Sequence, residues 1–132
     1  MKKTLLLDGA MGTELQNRGI EIPLPLWSAD ANIKHPEVVI NIHKDYINSG
    51  ADIITTNTFR TTAWTYRKAG FSTTKSKELS RSSLYKAVEC AQIAVSNSAT
   101  INGDAATSHD DISSDKAATF VCNGDNTWIR IG

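Results

Sequence analysis

Asp8 follows an unbroken Leu5-Leu6-Leu7 run and precedes Gly9, so a carboxylate falls where a short strand ends and a turn begins. Such a carboxylate can pair with an ammonium group, or it can accept the free N–H groups of a following helix; the local sequence leaves both open. Thr56 and Asn57 close a second β-prone run and bring a hydroxyl and an amide, each able to donate or accept. Ordinary strand and turn preference accounts for the same two residues. Trp27 lies on a stretch with Pro23 and Pro25, where it reads as a rim residue packed on the prolines. Gly9 and Gly12 either let backbone approach a ligand closely or serve a turn that needs positive φ.

The thiols and imidazoles offer less. Cys90 and Cys122 lie in separate contexts and match no metal-ligand spacing, which makes them two ordinary thiols that a cytosol would keep reduced. His35 precedes Pro36, and His43 lies among charged residues of a helix; both are expected to be solvated or capping. No residue is assigned a catalytic or metal-binding role.

The elements that must position these groups follow from periodicity. Residues 4–7 form a short continuous apolar run, suited to a strand covered on both faces. Residues 10–18 are helix-forming and end at Gly19, and the prolines of 20–26 impose an extended loop. Pro36 opens the clearest helix, with Glu37 in its first turn, Val38, Val39, Ile42, Tyr46 and Ile47 at helical spacing, and Gly50 past its end. Residues 51–58 are a second strand, with 52–56 its paired part. A helix over 61–69 stops at Gly70, and residues 74–96 form a long amphipathic helix bearing Leu79, Leu84, Ala87, Val88, Ala91 and Val95. The order β, α, β, α predicts a parallel α/β arrangement.

Fourteen basic side chains balance fourteen acidic ones, so no charge excess draws the chain to nucleic acid or an anionic membrane. No apolar run approaches the ~18 residues of a membrane span, and the run after Lys3 is too short for a secretory signal, so a soluble cytoplasmic protein is expected. The 132 residues are about half of the ~250 that a complete eight-stranded α/β barrel uses.

Residues 5–70 resemble the start of homocysteine S-methyltransferases. Four separated signatures carry the likeness in order: Asp8-Gly9-Ala10-Met11-Gly12-Thr13-Glu14, Leu26-Trp27-Ser28, His35-Pro36-Glu37 and Thr55-Thr56-Asn57-Thr58-Phe59. It continues more weakly to Ser96, and residues 97–132 do not match. The resemblance implies a partial (β/α)8 TIM barrel, its first two βα units, with Asp8 and Thr56 at the mouth. It further implies methyl transfer from a donor to the thiol of homocysteine, giving methionine. Asp8 would hold the amino group of homocysteine, Thr56 with Asn57 would fix the amino-acid portion, Gly9 would admit it, and Trp27 would wall it. In the full-length family a zinc ion held by cysteine thiolates keeps the substrate thiol ionised. Neither Cys90 nor Cys122 matches those ligand motifs, so this chain is expected to take no zinc and to be inactive alone.

Three segments follow: a barrel-like part over 1–96, a polar linker over 97–117, and a β-hairpin over 118–132 turning at Asn123-Gly124-Asp125-Asn126. A truncated gene, a fusion whose foreign tail begins near Asn97, and a fragment that assembles with another chain all account for this. The alternative function is a non-enzymatic structural or binding module using the hairpin, with Phe120 and Trp128 exposed. One undercovered sheet face predicts marginal stability, self-association, or shielding by the hairpin.

Overall fold

The computed structural model describes residues 4–101, 118–122 and 128–131. Its elements are α1 (Met11–Asn17), a 3-10 turn (Trp27–Asp30), α2 (Ala31–Lys34), α3 (Pro36–Asn48), β1 (Ile53–Thr55), α4 (Ala63–Lys68), α5 (Thr73–Ile101), β2 (Ala118–Cys122) and β3 (Trp128–Ile131). Helix α5 runs past Ser96 to Ile101, so residues 97–101 of the expected 97–117 linker are helical; residues 102–117, the turn at 123–126 and the surroundings of the Phe120 and Trp128 side chains lie outside the described residues.

Local chemistry sets the helix ends. Pro36 opens α3, where the missing N–H costs nothing. At its far end Gly50 takes φ 103°, Gly50 N–H donates to Ile47 O (3.0 Å), and Ala51 N–H donates to Tyr46 O (3.0 Å). That pair of bonds satisfies two carbonyls the helix leaves over, and the left-handed backbone it needs favours glycine. The same closure recurs at Gly19 and Gly70, the two other stops expected from sequence. The Thr62 hydroxyl caps α4 by accepting from Thr65 N–H (3.2 Å).

One core cluster joins Leu15 of α1, Ile22, Ala31, Val39 and Ile42 of α3, and Cys90 of α5; a second joins Ala51, Ile54 and Ala91. The seam of α5 is Ser76, Ser83, Ala87, Cys90, Ala91 and Ala94. Of the expected stripe, Leu79, Leu84, Val88 and Val95 are only partly buried. Small residues at the seam let α5 lie close to its neighbours, and the long apolar chains flank the contact. His43 corrects the sequence reading: it is fully buried, four residues after Val39 on the same face of α3. Neither ring nitrogen has a hydrogen-bond partner.

Residues 4–7 are also less than a strand. Leu7 makes one parallel bridge to Ile53, with Asp52 N–H donating to Leu6 O (2.8 Å) and Asp8 N–H to Ile53 O (2.9 Å). Leu5, Leu6 and Leu7 are 54%, 57% and 58% exposed, so the expected cover on both faces is missing. On its other side β1 pairs in parallel with β2, Ile54 opposite Thr119, and β2 pairs antiparallel with β3 in the order β1-β2-β3. The next parallel neighbour of β1 is thus residues 118–122, reached through α5. Among the described residues no barrel closes, and no helix is long and apolar enough to cross a membrane.

Candidate functional site

Asp8, Gly9, Trp27, Thr56 and Asn57, the residues the family resemblance assigns to substrate, all line one open cavity of about 380 Å³. Leu7, Met11, Gly12, Ser28, Thr55 and Phe59 complete its wall. Asp8 is the ionisable side chain of this lining; the rest is small, apolar, aromatic or hydroxyl-bearing.

Asp8 does not cap α1. The N-cap residue is Ala10, without a side-chain bond, and the Asp8 carboxylate turns to β1 instead. Its Oδ2 accepts from Thr55 N–H (2.8 Å) and its Oδ1 from the Thr55 hydroxyl (3.0 Å). Burial pushes the Asp8 carboxyl above its ordinary range, and the two Thr55 bonds pull it back only in part. A carboxylate in that state gains from a cation brought into the cavity, because each oxygen still has a lone pair to offer. Thr55 was not singled out from sequence, since nothing local says which strand residue will face the Asp8 turn.

The glycines are explained by contact. A Cβ on Gly9 would lie 2.8 Å from the Tyr46 hydroxyl oxygen, and one on Gly12 would lie 2.7 Å from Nε1 of Trp27. Tyr46, from α3, also donates its hydroxyl to Ala10 O (3.0 Å) and so clamps the turn after Asp8. Neither glycine has positive φ, so the turn explanation is set aside in favour of close packing. Trp27 itself sits at φ 53°, a costly backbone for a bulky residue, held by its N–H donating to Pro23 O (2.9 Å). We expect Gly12→Ala to displace the indole and to cost about 1–2 kcal/mol, exceeding the helix propensity gained. Urea unfolding with near-ultraviolet dichroism checks this; an unchanged midpoint and spectrum would show that the Trp27–Gly12 contact is loose.

Asn57 lines the cavity, yet its amide is spent inside the protein. Its Nδ2 donates to Ser28 O (2.8 Å) and to Asn32 Oδ1 (2.8 Å). Asn32 Nδ2 donates back to Asn57 O (2.8 Å) and to Ser83 Oγ (3.0 Å), and Ser83 Oγ donates to Ala29 O (2.7 Å). This buried network pins the end of β1 and the Trp27 turn to α5. Asn57 therefore shapes the wall and has no side-chain N–H left for a ligand. Thr56 is buried beside it, its hydroxyl 3.2 Å from that of Thr58. Asn32 and Ser83 escaped the sequence reading because a polar residue buried by tertiary contact has no periodic signal.

The residues described do not suit a zinc ion. No three His, Cys, Asp or Glu among them converge. Cys90 is buried in α5, its thiol 3.6 Å from Pro36 O, and burial followed by the charge of Glu89 pushes its pKa up to about 11. A neutral, buried thiol is neither a nucleophile nor a ligand.

A carboxylate at the end of one of two parallel chain segments and a strained tryptophan on the adjoining 3-10 turn, with helices packed behind, define an α/β protein with a small polar-apolar pocket. The homocysteine S-methyltransferase family model matches residues 5–121, and the chain belongs to that family. The match runs past Ser96, where sequence reading had ended it, and into β2. Homocysteine S-methyltransferase 2 of Zea mays is 39% identical over 87 residues, 66% of this chain and 24% of that protein. Selenocysteine Se-methyltransferase of Brassica oleracea var. italica is 36% identical over 84 residues, 64% of this chain and 24% of that protein. The metallated form of the homocysteine methyltransferase MmuM from Escherichia coli superposes with TM-score 0.69 at 29% identity, over 91% of this chain and 38% of that one. The chain spans about a quarter of the length of these curated relatives.

Proposed function

We propose that this chain forms the amino-acid-binding part of a homocysteine S-methyltransferase pocket, built from the first βα units of a (β/α)8 barrel. In this reading Asp8 pairs with the ammonium of homocysteine. Gly9 and Gly12 keep the floor low, Trp27 walls the aliphatic portion, and Thr56 contributes on the side held in place by Asn57. The gathering of Asp8, Gly9, Trp27, Thr56 and Asn57 around one cavity supports it most. Methyl transfer forms a bond from the homocysteine sulfur to the methyl carbon and breaks the bond from that carbon to the donor, after the thiol has lost its proton. Zinc, when bound in the family, supplies the thiolate. The cavity wall described here includes no cysteine or histidine, so the chain by itself binds substrate without turning it over.

The test is calorimetric titration of the 132-residue chain with L-homocysteine, beside an assay with S-methylmethionine or S-adenosylmethionine as donor. Asp8→Asn should weaken binding about tenfold or more, the worth of a charge-assisted bond of ~1.5–3 kcal/mol. Equal affinity in the two proteins would remove Asp8 from the site. Methyl transfer above the uncatalysed rate that Asp8→Asn abolishes would refute inactivity of the chain alone.

A further inference from the structure

Asp8 carries the charge in the cavity wall, yet what holds it there is a neighbour that has no part in the resemblance-based site. Both carboxylate oxygens are gripped by one residue, Thr55, through its backbone N–H (2.8 Å) and its hydroxyl (3.0 Å). Thr55 is the last residue of β1, opposite Phe120 in the parallel ladder with β2, so its own position is set by the sheet. Two donors from a single strand residue fix the carboxylate plane, where one donor would leave it free to swing.

We propose that Thr55 is a positioning residue, presenting the Asp8 carboxylate across the cavity to the ammonium of an amino-acid ligand. This rests on the substrate reading above for the ligand and on the two hydrogen bonds for the geometry. Burial opposes ionisation of Asp8, and the Thr55 amide and hydroxyl are the strongest influences in the opposite direction. Remove the hydroxyl and the carboxyl shifts further towards its neutral form, which attracts an ammonium far less. The ionisable neighbours around Asp8 among the described residues are Tyr46 of α3, against Gly9, and Asp52, whose Oδ2 accepts Leu6 N–H (2.9 Å). Beyond Tyr46 lie Glu14 and Arg18 of α1. None of these forms an ion pair with Asp8.

Carbon-detected magnetic resonance titration of the Asp8 carboxyl in the full chain decides the matter. Asp8→Asn assigns the signal, and the unmutated chain, Thr55→Val and Thr55→Ser are compared. Thr55→Val keeps the β-branched shape and the backbone donor but loses the hydroxyl. It should raise the Asp8 midpoint and weaken L-homocysteine binding, more at a pH below that midpoint than above it. Thr55→Ser should restore both. A merely structural threonine would change stability and leave the midpoint alone, so an unmoved midpoint in folded Thr55→Val overturns the proposal. Should Thr55→Val not fold, the unmutated chain suffices: the Thr55 amide proton must titrate with the Asp8 carboxyl, and a flat amide shift overturns the proposal equally. If L-homocysteine fails to bind the unmutated chain while Thr55→Val still moves the midpoint, the substrate reading falls and the hold of Thr55 on Asp8 stands.

Discussion

Replacing Asn32 by alanine should cost about 3 kcal/mol of stability, a large part of the ~5–15 kcal/mol of an ordinary domain. Asn32 is fully buried and takes part in three hydrogen bonds with Asn57 and Ser83. The alanine variant leaves Asn57 Nδ2 and Asn57 O each short of a partner at a buried position. Orphaned buried polar groups are worth more as a penalty than the lost bonds were as a gain. Because the asparagines act as a unit, Asn32→Ala combined with Asn57→Ala should cost clearly less than the two single changes together. Urea unfolding followed by far-ultraviolet dichroism measures all three proteins. Additive losses, or a single loss below about 1 kcal/mol, would mean that the network is decorative and that packing alone holds the Trp27 turn to α5. The same variant should loosen the cavity, since Asn32 holds the Asn57 amide, and that amide in turn holds Ser28 O in the turn bearing Trp27.

Acid should destabilise the protein from about pH 6.5 downward, and His43 is the cause. Burial lowers its pKa to about 4 from an ordinary 6.5, and neither ring nitrogen has a protein partner to relieve a charge. Between those two values the unfolded chain binds a proton that the folded chain refuses. Stability from this residue is therefore complete above about pH 6.5 and is lost as pH falls through 4, at up to ~1.4 kcal/mol per pH unit. At pH 5 the loss is about 2 kcal/mol. Asp8 works in the opposite sense, since its raised carboxyl lets the folded state hold a proton that the unfolded one releases. Comparing the unmutated chain with His43→Leu at pH 7 and pH 5 isolates the histidine. The leucine variant should match or exceed the unmutated chain at pH 7, having removed two unsatisfied buried nitrogens, and should lose about 2 kcal/mol less on going to pH 5. Parallel pH profiles for the two proteins would show that His43 is reached by water.

Helix ends and the strand after Gly50 were legible in the sequence because each rests on local chemistry, whereas the cavity residues were named through the family resemblance of their motifs. Pro36, Gly19, Gly50 and Gly70 act through backbone geometry that is the same in any surroundings. The Asp8 and Thr56-Asn57 signatures sit where the two parallel segments end, and such ends converge in an α/β fold whatever the detail of packing, while Trp27 comes from the 3-10 turn beside them. Other matters depended on residues far apart in the chain. Whether Asp8 would cap α1 or turn to Thr55, 47 positions away, was decided by the parallel contact of residues 6–8 with β1. His43 reads as solvated from its charged neighbours; rotation of α3 about its axis buries it with Val39 and Ile42. In α5 the large apolar side chains suggested the buried stripe, but the close approach of helices selected serines, alanines and Cys90, because backbone proximity excludes bulk and Ser83 has Asn32 to bond. The exposure of Leu5, Leu6 and Leu7 was likewise a tertiary outcome. An apolar run states a preference for cover, and whether cover exists is decided by what the rest of the fold lays over it.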